Sequence, residues 1–132
     1  MGYTKQGDLH DLQNLLAHFN CDEAFLKEIT ENIRKHHSVK FISVLLARLK
    51  TLKEYKQKAI LCEPKNFESL KHTKSLYSMR VKTENINYRI LYSFQNDGTI
   101  LLHGFEEKKG KKVTEYSKAS KIANSRLKNW EK

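Results

Sequence analysis

One change of rhythm constrains this chain more than any other feature. Its apolar residues recur at helical spacing through the first half and at every second position from Leu76 onward. A period near 3.6 belongs to amphipathic helices and a period of two to half-buried strands, so a helical half precedes a strand half. Over Asp8–Phe19, Leu9, Leu12, Leu15, Leu16 and Phe19 form a one-sided stripe, and Asp8 is placed to cap the helix. A second helix fits Asp22–His36. Phe25, Leu26, Ile29 and Ile33 share its face, Asp22 caps it, and Lys35, His36 and His37 suit the negative end of its dipole. A third helix fits Ser38 to about Ala59, with Phe41, Val44, Leu45, Leu49 and Leu52 inward. It is broken before Pro64, because the residue preceding a proline avoids the helical region.

In the second half, Leu76–Lys82 places Tyr77, Met79 and Val81 on one face and Ser78, Arg80 and Lys82 on the other. Tyr88–Gln95 groups Tyr88, Ile90, Tyr92 and Phe94 opposite Arg89 and Ser93. Thr99–Phe105 follows Asn96-Asp97-Gly98, a hairpin signal. A three-residue loop with Gly98 left-handed pairs Gln95 with Thr99 and Arg89 with Phe105, and puts His103 on the Arg89 face. A two-residue loop sends His103 to the apolar face instead; Asn-Asp-Gly suits the three-residue form. A closing helix fits about Thr114–Asn129, with Tyr116, Ala119, Ile122, Ala123 and Leu127 available for packing and Trp130 as an anchor.

At 132 residues and 39% hydrophobic content, the chain is expected to form a single domain around a modest core. No apolar run approaches the roughly 20 residues that span a bilayer. The opening MGYTKQGDLH has no apolar stretch of the signal-peptide kind. The expectation is a cytoplasmic protein with no membrane partner. Cys21 and Cys62, without a CxxC, exclude a disulfide scaffold and a zinc ribbon. The histidines His10, His18, His36 and His37 lack metal-site spacing, and no glycine-rich phosphate loop is present, so neither metal nor cofactor is expected. Charge supplies the first functional clue. Lys and Arg total 25 against 15 Asp and Glu, a formal +10. Residues 76–132 carry 12 basic and 6 acidic residues of that total. Such an excess favours an anionic partner, although a lysine-rich surface also serves solubility.

The stretch Leu76-Tyr77-Ser78-Met79-Arg80, then Tyr88-Arg89-Ile90-Leu91-Tyr92, then Leu101-Leu102-His103-Gly104-Phe105-Glu106-Glu107-Lys108-Lys109, resembles the RelE/ParE toxin superfamily, closest to its HigB and phage-derived toxin-like branch. The likeness covers about residues 45–130. It implies an α+β fold: a small twisted, mainly antiparallel sheet with helices packed on one side. Residues 1–37 read as an N-terminal helical extension and 38–132 as the RelE-like core; the family's usual first strand is not evident in the extension. The likeness also implies a type II toxin whose partners are a cognate HigA- or RelB-like antitoxin and mRNA. Most such members cleave mRNA without a metal, commonly in the ribosomal A site. A minority inhibit DNA gyrase, and a non-catalytic binding module is a further alternative.

Metal-free RNA cleavage needs a base for the 2′-hydroxyl, cations for the charge building at phosphorus, and an acid for the leaving 5′-oxygen. Arg89 and Arg80, on the polar face of neighbouring strands, have the planar fork that suits phosphate; a solvated sheet face or a salt bridge to Glu84 or Glu106 is the plainer role. Tyr116 resembles the family's tyrosine near the start of the closing helix and could act as acid–base group, stack on a base, or simply pack. His103 has the right chemistry for proton transfer if the register puts it beside Arg89 and is otherwise structural. Lys82, Lys108, Lys109, Lys111 and Lys112 are candidates for backbone contacts with nucleic acid, or a solvated loop. The family's catalytic lysine pair has no counterpart: Leu76 and Ser78 stand at the aligned positions.

Overall fold

The change of period at Leu76 is where helix gives way to sheet. A computed structural model describes residues 2–71, 73, 75–95, 98–108 and 112–131, and only the backbone of 2–8 and 112–115. Helices α1 (Gly2–Leu16), α2 (Glu23–His36) and α3 (Val39–Tyr55) fill the first half, followed by a 3-10 turn (Lys56–Lys58) and the short α4 (Ala59–Cys62). The strands are β1 (Asn20–Cys21), β2 (Phe67–Ser69), β3 (Tyr77–Lys82), β4 (Asn87–Gln95) and β5 (Gly98–Glu106), and α5 (Lys112–Trp130) comes last.

Local chemistry sets the helix ends. Asp22 sits in extended backbone and accepts from the Ala24 N–H at 3.1 Å, the capping role expected of it. At the other end of α2, His37 turns left-handed (φ 49°) and its N–H reaches the Ile33 carbonyl at 3.0 Å. Ser38 then caps α3, accepting from the Phe41 N–H at 3.0 Å. Asp8 is not a cap: α1 begins at Gly2, with no proline before Asp8 to stop it. Among the described residues no helix is long and apolar enough to cross a membrane.

The strands form one mixed five-stranded sheet in the order β1-β5-β4-β3-β2, antiparallel except for the parallel pair β1–β5. The two-residue β1 supplies a strand where none was legible, because Asn20 and Cys21 pair with Ile100 and Leu101 through backbone alone. The hairpin turn is also tighter than expected. Gln95 pairs with Gly98, Phe94 with Thr99 and Ser93 with Ile100, the register of a two-residue loop. A bulge then opens: Tyr92 pairs with Leu101 and Leu91 with His103, so Leu102 is the extra residue. Beyond it the expected register returns, with Arg89 opposite Phe105. His103 therefore reaches the Arg89 face by a bulge and not by the loop length.

The expected α+β class and mainly antiparallel sheet are present, but the helices cover both faces. On one face Met79, Val81, Tyr88, Ile90, Tyr92 and Leu101 pack with Phe25, Ile29, Phe41, Leu45, Leu49 and Leu52 of α2 and α3. On the other, Leu76, Leu91, Ile100 and Leu102 pack against Ala119, Ala123 and Leu127 of α5. The cause is the strand alternation: the second face carries four large aliphatics, each worth roughly 1.5–3 kcal/mol when buried, and these need a cover. Ala119 and Ala123 let α5 approach closely. Leu26, expected inward, is 38% exposed.

Candidate active site

The second face is apolar under α5 and polar towards the β3–β4 end. Arg80 and Arg89 are register partners on adjacent strands, and on the next pair Glu68 of β2 lies opposite Ser78 of β3. Tyr116, one turn into α5, closes over this patch. Its ring lies 5.6 Å from the Arg89 guanidinium carbon, and its hydroxyl is 3.0 Å from the Ser78 hydroxyl and 3.4 Å from a Glu68 oxygen, to which it donates. The structure thus gathers an arginine, a phenol, a serine and carboxylates at one place.

Arg89 is not open to solvent. It is 8% exposed, donates from Nε to Glu107 at 3.2 Å and lies 3.9 Å from Glu68. Glu107 is as buried as its partner, whereas the Glu68 side chain is 48% exposed. These carboxylates offset the repulsion between two facing arginines. They also mean that a phosphate reaching Arg89 must displace one of them. Arg80 is half-buried with a different role: its carbonyl accepts from Arg48 Nε at 3.0 Å, while its own Nε has no hydrogen-bond partner among the described residues. Neither arginine bonds Glu84; Glu106 is held by His36 and Lys35.

Burial pushes the Tyr116 phenol up to about 12, against the lowering effect of the Ser78 hydrogen bond and the Arg89 charge. It keeps its proton at neutral pH, which suits a proton donor and not a base. Two residues to which the sequence reading gave no role, Glu68 and Glu107, complete the cluster. Glu68 lies outside the quoted motifs and Glu107 inside one, and each is assigned its place only by its contact with Arg89.

His103 lies elsewhere. Its Nδ1 is 3.0 Å from both oxygens of Glu28 in α2. A carboxylate only accepts, so Nδ1 carries the hydrogen. Arg126 of α5 adds two 2.9 Å hydrogen bonds to Glu28, and the Gly104 N–H donates to it at 3.0 Å. Burial alone would raise Glu28; the hydrogen bonds from His103, Arg126 and Gly104 outweigh it and bring the carboxyl down to about 2. His103 is a structural link here, and the Phe105 ring, which touches both His103 and Tyr116, stands between the two clusters. Trp130 is an anchor, donating to Asp22 at 3.1 Å.

Lys82 and Lys108 are exposed at the ends of β3 and β5. Lys109 and Lys111 lie outside the described residues, as does the side chain of Lys112. Leu76 and Ser78, at the positions of the lysine pair, are both buried, so neither presents a group to solvent there. No three His, Cys, Asp or Glu side chains among the described residues are grouped to hold a metal ion.

Two kinds of comparison are silent: no curated protein and no solved structure matches the chain. A family model does match. It is described as phage-derived protein Gp49-like (DUF891), and it covers residues 43–128. That span holds β2 to β5, most of α3 and α5, and every member of the Arg89–Tyr116 cluster, and it excludes α1, β1 and α2.

Proposed function

The chain belongs to the phage-derived Gp49-like family, which is associated with RelE-like toxins, and on that premise we propose that it is a type II toxin of the HigB kind that cleaves mRNA. The observation that carries this reading is the contact of Tyr116 with Arg89, Ser78 and Glu68 on one patch of sheet. Each step of an in-line transesterification has a group suited to it. The 2′-hydroxyl gives its proton to the half-exposed Glu68 carboxylate and attacks the adjacent phosphorus. Arg89, with Arg80 beside it, holds the negative charge that builds on the phosphorane. The P–O5′ bond breaks, and the Tyr116 hydroxyl protonates the departing 5′-oxygen, leaving a 2′,3′-cyclic phosphate and a free 5′-hydroxyl. No step draws on a metal. The exposed Lys82 and Lys108 would steer the strand, and a small antitoxin would silence the protein by covering this face in the cytoplasm.

Expression without a partner gene should arrest growth and fragment transcripts, and Tyr116→Phe should abolish both. Arrest with intact transcripts would reject cleavage; arrest with DNA-damage signalling would point to gyrase. A second reading is favoured by one observation, the enclosure of Arg89 by Glu107 and Glu68. If the carboxylates never yield, the fold is a binding module, and purified protein will leave ribosome-bound mRNA uncut.

A further inference from the structure

We infer that Ser78 is a positioning residue of the cleavage reaction: its hydroxyl donates to Tyr116 Oη, aims the phenol hydrogen outward and holds the phenolate that remains when that hydrogen leaves. The inference rests on the cleavage reading above and gives a role to a residue that the proposed steps leave idle. Ser78 lies on the β3 face that α5 covers, in a row with Leu76 and opposite Leu91, and is 0% exposed. An aliphatic side chain would suit that place better, because a buried hydroxyl costs free energy unless it is hydrogen-bonded. Among the described residues its side chain makes one hydrogen bond, the 3.0 Å contact with Tyr116.

The direction of that bond follows from the third member of the chain. A carboxylate only accepts, so the phenol hydrogen is directed at the Glu68 oxygen 3.4 Å away. It is then not available to Ser78, and the serine is the donor. The hydrogen bonds run from Ser78 to Tyr116 to Glu68, from the buried sheet face towards the half-exposed carboxylate. A neutral phenol oxygen can do without an incoming hydrogen bond. A phenolate gains far more from one, as it does from the Arg89 guanidinium 5.6 Å from the ring centre. Burial opposes ionisation of Tyr116, and the Ser78 hydrogen bond is the largest influence working against that burial. As the P–O5′ bond breaks, the Tyr116 O–H bond breaks with it and the proton passes to the 5′-oxygen, while Ser78 keeps its own hydrogen and shares it with the phenolate. Glu68, protonated by the 2′-hydroxyl, returns that proton to Tyr116 across their contact once the product has left, so no outside acid is consumed.

The test is single-turnover cleavage of a short ribosome-bound mRNA by the full-length protein, with the natural linkage and with sulfur in place of the 5′-oxygen at the cleaved position. A 5′-alkoxide needs the Tyr116 proton to depart, whereas a thiolate, whose thiol has an ordinary pKa of roughly 8.5, departs without one. Ser78→Ala should lower the rate at saturating protein roughly 10- to 100-fold on the natural linkage, the effect of one hydrogen bond lost from a charged group, and leave the concentration for half-saturation unchanged. On the sulfur linkage it should match the wild type. Ser78→Cys, which keeps a weak donor, should fall between the two on the natural linkage, and it makes the same comparison if the alanine variant does not fold. An undiminished rate on the natural linkage, equal losses on both linkages, or a loss in half-saturation alone overturns the role. A wild type that cuts neither RNA removes the cleavage reading and this role together; a wild type that cuts both, with serine variants unimpaired, removes this role alone.

Discussion

At the residue scale, burial changes what a substitution tests. On its strand pattern Arg89 is a polar-face residue whose truncation should spare the fold. In the structure Arg89→Ala strands the buried Glu107 charge, and removing one partner of such a pair costs about 3–5 kcal/mol. Loss of activity in that variant would not separate chemistry from unfolding. Tyr116→Phe is the cleaner probe, because it deletes one hydroxyl and keeps the ring against Phe105. It should leave thermal stability within about 1 kcal/mol while lowering cleavage roughly 100-fold or more, read by melting temperature and by transcript fragmentation in parallel. Gly104→Ala tests packing alone. The new methyl meets the Tyr88 ring, so the variant should lose about 1–3 kcal/mol in urea unfolding; an unchanged midpoint would mean that the ring moves freely.

At the element scale, the starts of α2 and α3 were legible because capping is local, whereas Asp8 falls inside α1. Asp22 and Ser38 each sit just before an apolar stripe, and both accept the N–H that a cap should. Ser38→Ala should therefore cost about 1 kcal/mol. Asp22→Ala should cost more, because Asp22 also accepts from Trp130 and lies 3.8 Å from Arg126. Denaturant midpoints for the two variants would check the order; equal losses would show that the α2–α5 contacts carry no weight. Strands β3, β4 and β5 were legible in extent, and the β4–β5 register was right from Leu91 to Arg89 but wrong next to the turn. Loop length at Asn96-Asp97 and the bulge at Leu102 are set by which side chains find cover, and that depends on α5 and α2, far away in sequence. The two-residue β1 has no periodicity to read at all.

At the scale of the whole molecule, Glu28 joins the two ends of the chain. It sits at the edge of β5 and is held by His103 of that strand and by Arg126 of α5, so the helices on opposite faces meet around one carboxylate. Its folded value of about 2 lies below its ordinary 4.5, so its stabilisation is present above 4.5 and lost as pH falls towards 2. Acid titration of the wild type should show unfolding steepen in that window, and Glu28→Gln should flatten it while lowering stability at neutral pH by about 2 kcal/mol. An identical acid profile in the variant would remove Glu28 from the acid response. The sequence alone determined the order of the long helices and of strands β3 to β5, the faces of β3 and β4, the Asp22 cap and the family likeness. Each of these rests on neighbours within a few residues or on a motif read in line. Tertiary structure alone decided that α5 covers a second face, that Arg89 is enclosed by Glu107 and Glu68, and that His103 serves Glu28. Those outcomes depend on contacts between residues tens of positions apart, where the energy of burying a charge or an aliphatic face is settled by whatever the fold brings opposite it.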